Sequence, residues 1–230
     1  MNKNQFKLFY EILNRFDEEG VLDNIILIGS WCVPLYKEYF FQNSQVSPIR
    51  TTDVDFLVPL PLKDKAPVDV PSLLFDLGFV VDFVGEQGYM RLNHPDLNIE
   101  FLVHEKGRGE EKPVDLRKFH VNAQALRFLN VLQEKTIKIK VNDKVVRIPH
   151  PAWFAVHKLI VTQRRTKKDK AEKDFKMAID LLHDLIAVRK KAEIRAAFNF
   201  VSKKWQKKIG DLLRDVKEEE ILNIIYATKQ

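Results

Sequence analysis

A single cysteine, Cys32, stands in a chain of 230 residues. That excludes an intrachain disulfide and fits a reducing compartment, so a cytoplasmic location is expected. The six histidines include no pair at zinc-ligand spacing, and one cysteine does not complete a structural zinc site. No apolar run approaches the ~18 residues of a membrane span, so no membrane partner is expected. The opening MNKNQFKLFYEILNRF is amphipathic and acids follow it directly, which is not the pattern of a signal peptide. Internal repeats and low-complexity segments are missing too. With 45% hydrophobic and 30% charged residues, the chain is long enough to bury a core of one large or two small domains.

Charge is present but unevenly spread. Residues 1–110 hold 10 Lys and Arg against 17 Asp and Glu, whereas residues 111–230 hold 28 against 15. An acidic site facing a basic wall would produce this asymmetry, and so would two surfaces of different bias.

Along the chain, Phe6, Phe9, Ile12, Leu13 and Phe16 recur at helical spacing within residues 4–18. The run NIILIG (24–29) reads as a buried strand ending in glycine. Ser30 suits the N-cap of the helix that follows, and Pro34 is tolerable only near its first turn. DVDFLV is the next strand. VPSLLFDLG is a short helix stopped at Gly78, and FVVDFVG, YMRLNH and LNIEFLV are antiparallel strands separated by turns. From about 113 the character changes. Residues 122–132 read as a helix, and TIKIKV and KVVRIP as a hairpin about Asn142-Asp143-Lys144. A helix opens at Pro151, and a long one over 169–188 stripes Ala171, Phe175, Ala178, Leu182 and Leu185. The expected fold class is α+β. A core with a small mixed sheet spans 1–112, and a mostly helical basic region spans 113–230 with its hairpin near 135–149.

Two acids lie inside the strand DVDFLV. Strand residues two apart share a face, so Asp53 and Asp55 project together while Val54, Phe56 and Val58 face a helix layer. Adjacent carboxylates repel unless a cation intervenes, and hard oxygen ligands suit Mg²⁺ completed by substrate phosphates. In LNIEFLV, Glu100 is the one acid among alternating apolar residues. Pairing of the two strands would bring three acids to one face, enough for two metal ions and an in-line displacement at phosphorus. Asp-x-Asp is also harmless on a half-solvated strand, and glycosyltransferases use it to hold a metal nucleotide diphosphate. A calcium loop is excluded by the missing glycine and later glutamate.

In LIGSW (27–31), Gly29 permits close backbone approach and Ser30 offers a hydroxyl at a helix start, where free amides bind anions. A plain N-cap explains the pair equally. Taken together, Gly29-Ser30, Asp53-Val54-Asp55 and Glu100 resemble the nucleotidyltransferase superfamily with a DNA polymerase β-like fold. Arg50-Thr51-Thr52 and the run IPHPAWFAVHKLIVTQRR…KAEKD resemble a bacterial branch near the abortive-infection toxin and aminoglycoside nucleotidyltransferases. The resemblance covers most of residues 21–185. The 22 residues between Ser30 and Asp53 exceed the usual spacer.

The resemblance implies an enzyme that moves a nucleoside monophosphate from an NTP to a hydroxyl acceptor and releases pyrophosphate. Asp53, Asp55 and Glu100 would be catalytic and would bind two Mg²⁺ ions, with Glu100 as general base. Gly29, Ser30, Arg50, Lys158 and Lys173 would bind the nucleotide. For Lys158 a snorkelling role is the alternative, and for Lys173, Arg164 and Arg165 a solvated helix face. A small molecule, RNA or a protein hydroxyl all remain open as acceptor. The stretch RKKAEIRAAFNFVSKKWQKK (189–208) suits nucleic acid, as does a solvated amphipathic face. The rival class is a non-catalytic, antitoxin-like binding module on the same fold.

Overall fold

The apolar spacing at the N-terminus forms helix α1, Lys3–Glu18, which buries Phe9, Ile12, Leu13 and Phe16. The computed structural model describes residues 3–39, 44, 46, 51–63, 66–107 and 112–227. Phe16 meets Phe56 at 5.5 Å and Phe101 at 6.5 Å between ring centroids. Helix α1 therefore covers one face of a sheet. Burial of each such ring contributes about 1.5–3 kcal/mol.

That sheet contains β1 (Ile26–Ile28), β2 (Asp53–Leu57), β3 (Val80–Val84), β4 (Tyr89–Asn93) and β5 (Asn98–His104) in the order β1-β2-β5-β4-β3. Strand β7 (Val121–Leu126) lies beside β5, and β6 (Val114–Leu116) beside β7. Strands β2, β5 and β7 pair in parallel and the other neighbours are antiparallel. The mixed sheet and α+β class are as the sequence indicates. Val54, Phe56 and Ile99 are fully buried on the α1 side, so the strand pleat turns Asp53, Asp55, Asn98 and Glu100 to the opposite, more open face. Helix α3 (Val70–Leu74) is capped by Asp69, whose carboxylate accepts from the Ser72 N–H at 3.0 Å.

The reading of one segment needs correction. Residues 122–132 are not one helix. They divide into β7, a turn at Phe128 with φ +68°, and the short helix α4 (Leu129–Glu134). Pairing with β5 wins over the helical propensity of Ala and Leu there, since Val121 and Ala123 become buried sheet positions. The chain forms two compact units. The first compact unit holds residues 1–34 and 48–149, and the second holds 35–47 and 150–230. The hairpin of β8 (Thr136–Val141) and β9 (Lys144–Pro149) belongs to the first unit. Arg147 on β9 fastens it by donating to the backbone carbonyls of Asp23 and Ile25, each at 3.1 Å. Its turn uses Asn142 and Asp143 at φ +49° and +67°, the left-handed pair a tight hairpin requires.

Helix α2 (Cys32–Tyr39) starts one short turn later than the sequence suggests. Gly29–Trp31 form a 3₁₀ turn, so Ser30 lies within that turn rather than capping the helix. In the second unit, α5 (Pro151–Thr162) is buried on nearly every side, and the His150 ring accepts from the Ala152 N–H at its start. Against it pack α6 (Lys168–Ala187), α7 (Lys191–Phe200) and α8 (Lys203–Asp215), and α9 (Glu219–Tyr226) packs on α7 and α8.

Candidate active site

Register places the acids. In the parallel β2–β5 pair, Asp53 stands opposite Asn98 and Asp55 opposite Glu100. Directly paired residues share a face with Cβ atoms about 4.5–5.5 Å apart. The same row continues to Ile28 on β1 and to Arg91 on β4. The three acids singled out from the sequence are thus neighbours on one open face.

Asn98 orients Asp53, donating from Nδ2 to Oδ1 at 3.1 Å. The Asp53 backbone N–H is tied to the Thr51 hydroxyl at 3.1 Å. Asp55 is held closely from the other side. A Cβ added to Gly29 would fall 2.3 Å from Asp55 Oδ2, and Gly29 has φ +72°. Both facts demand glycine: the left-handed backbone is strained for other residues, and the carboxylate occupies the space. The close approach foreseen at Gly29 is therefore an approach to Asp55. Ser30 is half-buried in the turn just beyond it.

Glu100 has a partner the sequence reading missed. Arg91 donates from Nε to Glu100 Oε1 at 2.6 Å, and its Nη2 contacts the same oxygen. The pair is half-buried, with side chains 31% and 22% exposed. Alternation in YMRLN puts Tyr89, Arg91 and Asn93 on one face, but only the β4–β5 register brings Arg91 to Glu100. Among the described residues, no group of three or more His, Cys, Asp or Glu side chains is arranged to hold a metal ion. Asp53, Asp55 and Glu100 are neighbours in register, with Glu100 drawn toward Arg91.

The basic candidates sit elsewhere in the chain. Lys158 on α5 is buried and gives its ammonium to Asp174 on α6 at 2.6 Å. Arg165 donates to the other Asp174 oxygen at 3.0 Å. Burial alone would raise the Asp174 carboxyl, but the adjacent Lys158 and Arg165 outweigh it and hold the group below its usual range. The sequence signal for Asp174 was its place between Ala171 and Ala178, on the apolar stripe of α6. Lys173 is exposed on α6. Arg50 falls outside the described residues. His157 is also buried on α5, and neither ring nitrogen has a partner among the described residues. Burial and the nearby Lys158 lower its pKa to about 3.

A carboxylate pair on one face, one member steadied by an amide and the other resting on a bare glycine backbone, is a donor set for a hard divalent cation. A family model described as nucleotidyltransferase matches residues 7–202. No curated protein matches the sequence. Among solved structures, an antigenic nucleotidyltransferase-like protein from Paracoccidioides brasiliensis is similar at a TM-score of 0.55 and 14% identity, over 99% of each chain. The antibiotic-resistance factor ANT(2'')-Ia in solution gives 0.46 and 13%, over 84% of this chain and 95% of the other. ANT(2'')-Ia in complex with adenylyl-2''-tobramycin gives 0.43 and 14%, over 83% and 99%. At these identities the likeness concerns the fold, and the two lower scores carry no argument.

Proposed function

This chain belongs to the nucleotidyltransferase family, and on that footing we propose that it transfers a nucleoside monophosphate from an NTP to a hydroxyl acceptor. The observation that carries this is the grouping of Gly29, Asp55 and Glu100: a glycine with no room for a Cβ, a carboxylate against it, and a second carboxylate in register with the first. Asp53 and Asp55, with Glu100 beside them, would hold Mg²⁺, which supplies charge neutralisation at the triphosphate. Gly29 and Ser30 lie where the β- and γ-phosphates would rest. The acceptor oxygen forms a bond to the α-phosphorus, the α–β bridging P–O bond breaks, and its electron pair leaves with pyrophosphate. Glu100 Oε2, the oxygen Arg91 leaves alone, takes the hydroxyl proton. Catalysis of this type is positioning plus electrostatic stabilisation. A cytoplasmic enzyme fits a chain in which no described helix is long and apolar enough to cross a membrane.

The test is calorimetric titration with a non-hydrolysable NTP analogue and Mg²⁺. Replacing Asp53 and Asp55 together by Asn should weaken binding about 10²–10³-fold without unfolding the protein. Binding that survives the double replacement would end this reading. The Arg91–Glu100 ion pair favours a second one, since a carboxylate already spent on a guanidinium suits a non-catalytic, antitoxin-like module. Label transferred from NTP in an Asp55-dependent way, in a broad acceptor screen, excludes that module.

A further inference from the structure

The acid face does not end at Glu100. Beside it opens a cavity of about 250 Å³ lined by Val84, Gly85, Tyr89, Met90, Arg91, Glu100, Phe101 and Gln124. Strand register shows which side of the sheet it is on. Arg91 pairs with Glu100, Tyr89 precedes Arg91 by two, and Val84 pairs with Tyr89. Gln124 pairs with Leu102, two residues beyond Glu100. Val84, Tyr89, Arg91, Glu100 and Gln124 therefore share the face that carries Asp55, while Met90 and Phe101 alternate away from it. The cavity borders the carboxylate that would receive the acceptor's proton.

We propose that this cavity is the acceptor pocket and that it takes a small polyhydroxylated molecule carrying one anionic group, which Arg91 anchors. The inference rests on the nucleotidyl-transfer reading and names its acceptor class. Arg91 is the one cation in the lining, and Glu100 occupies only Nε and Nη2. Three of its five N–H groups are left for a ligand. Among the described residues no second acid bonds to them. Asp82, opposite Arg91 on β3, accepts from the Phe83 N–H at 2.8 Å and from Asn93 Nδ2 at 3.0 Å.

Arg91 and Glu100 cancel within the lining, which leaves the Arg91 guanidinium as the group there that an anion can reach. Were Glu100 to hold a metal ion beside Asp55, the half-buried Arg91 guanidinium would lose its counter-charge. An anion on the acceptor would restore it, which makes the chemistry selective for that acceptor. Tyr89 offers a ring face and a hydroxyl, and Gln124 an amide. Neither spends its polar end on another described residue. A volume at the low end of small-molecule sites fits a single sugar-sized unit. The acceptor hydroxyl then lies by Glu100, gives its proton to Oε2 and bonds to the α-phosphorus as pyrophosphate departs.

The experiment is calorimetry on the full chain with four probes, gluconate, glucose 6-phosphate, glucose and tobramycin, each with and without a non-hydrolysable ATP analogue and Mg²⁺. At least one anionic probe should bind about ten-fold or more tightly than glucose, with the analogue present. The carboxylate and phosphate arms tell which anion is preferred. Arg91→Gln should erase the preference, a loss of about 10–100-fold, and Arg91→Lys should keep part of it. Should Arg91→Gln fail to fold, Gln124→Leu decides, because it leaves the ion pair intact and should weaken the anionic probe about 3–10-fold. The proposal is overturned if glucose or tobramycin binds best, if the ATP analogue displaces the anionic probe, or if a folded Arg91→Gln protein keeps its anion affinity. A chain that binds the analogue but no probe also overturns the pocket and leaves nucleotidyl transfer standing. Arg91-dependent anion binding without any analogue binding does the reverse.

Discussion

Two clusters of opposite charges, one in each compact unit, use the same residue types to different ends. Arg91 and Glu100 meet on an open sheet face, with side chains 31% and 22% exposed, at the rim of a cavity. Lys158 and Asp174 meet between helices, with side chains 10% and 9% exposed. Water can take over either partner of the first pair, so Glu100 is releasable. Neither partner of the second can leave without stranding a charge in a poorly solvated place. Charge that is affordable to separate can serve chemistry; charge that cannot be separated serves packing.

The sharpest way to break that contrast is to delete one partner of the buried pair. Asp174→Asn leaves the Lys158 ammonium without its counter-charge and should cost about 3–5 kcal/mol in urea unfolding. Replacing both at once, Lys158→Met with Asp174→Leu, should recover most of the loss and leave NTP affinity within about three-fold. A double variant that stays stable yet loses NTP binding would show that Lys158 also meets the triphosphate. A smaller effect is expected in the other unit. Gly29→Ala puts a methyl where Asp55 Oδ2 lies and strains the φ +72° backbone. About 1–3 kcal/mol of stability should be lost, and NTP·Mg²⁺ affinity should fall with it because Asp55 must move. Unchanged affinity in calorimetry would mean that Asp55 is not held in place by this contact.

The same contrast explains what the sequence could reveal. Asp53, Asp55 and Glu100 were legible because each breaks an apolar alternation, and period-two patterning says which face such a residue takes. Gly29 was legible as a close-approach point, though not what approaches it, because Asp55 lies 26 positions away along the chain. Arg91 was overlooked since a lone cation on a strand has no local signature until the pairing register is known. The segment 122–132 misled for the same reason: its strand character comes from β5, a partner outside the window. Helix α6 was readable to within a residue at each end from its apolar stripe, and α5 at its start from Pro151 though it stops at Thr162, short of the Gln163-Arg164-Arg165 that the pattern included; yet Asp174 inside that stripe was missed.

The last test sharpens the contrast through pH. His157 lies buried among the same helices as Lys158, and burial lowers its pKa from 6.5 to about 3. Its folded form stays neutral while the unfolded chain takes up a proton below pH 6.5. Between the two values the unfolded state binds more protons, so stability falls as pH falls through that window and levels off only near pH 3. From pH 6.5 to pH 5 the loss should be about 2 kcal/mol, at 1.36 kcal/mol per unit. Both ring nitrogens lack partners among the described residues, so His157→Phe should keep the packing at pH 7 and flatten this slope. The depressed Asp174 carboxyl adds a loss of its own, but only below its unfolded value near 3.8, as pH falls toward its folded one. Urea melts at pH 7, 6 and 5 separate the two, because the His157 window opens below pH 6.5 and the Asp174 window only below about 3.8. A wild-type slope that persists in His157→Phe would move the acid sensitivity to the carboxylates of the sheet face, and the helical cluster would no longer be the place where burial sets the protein's response to pH.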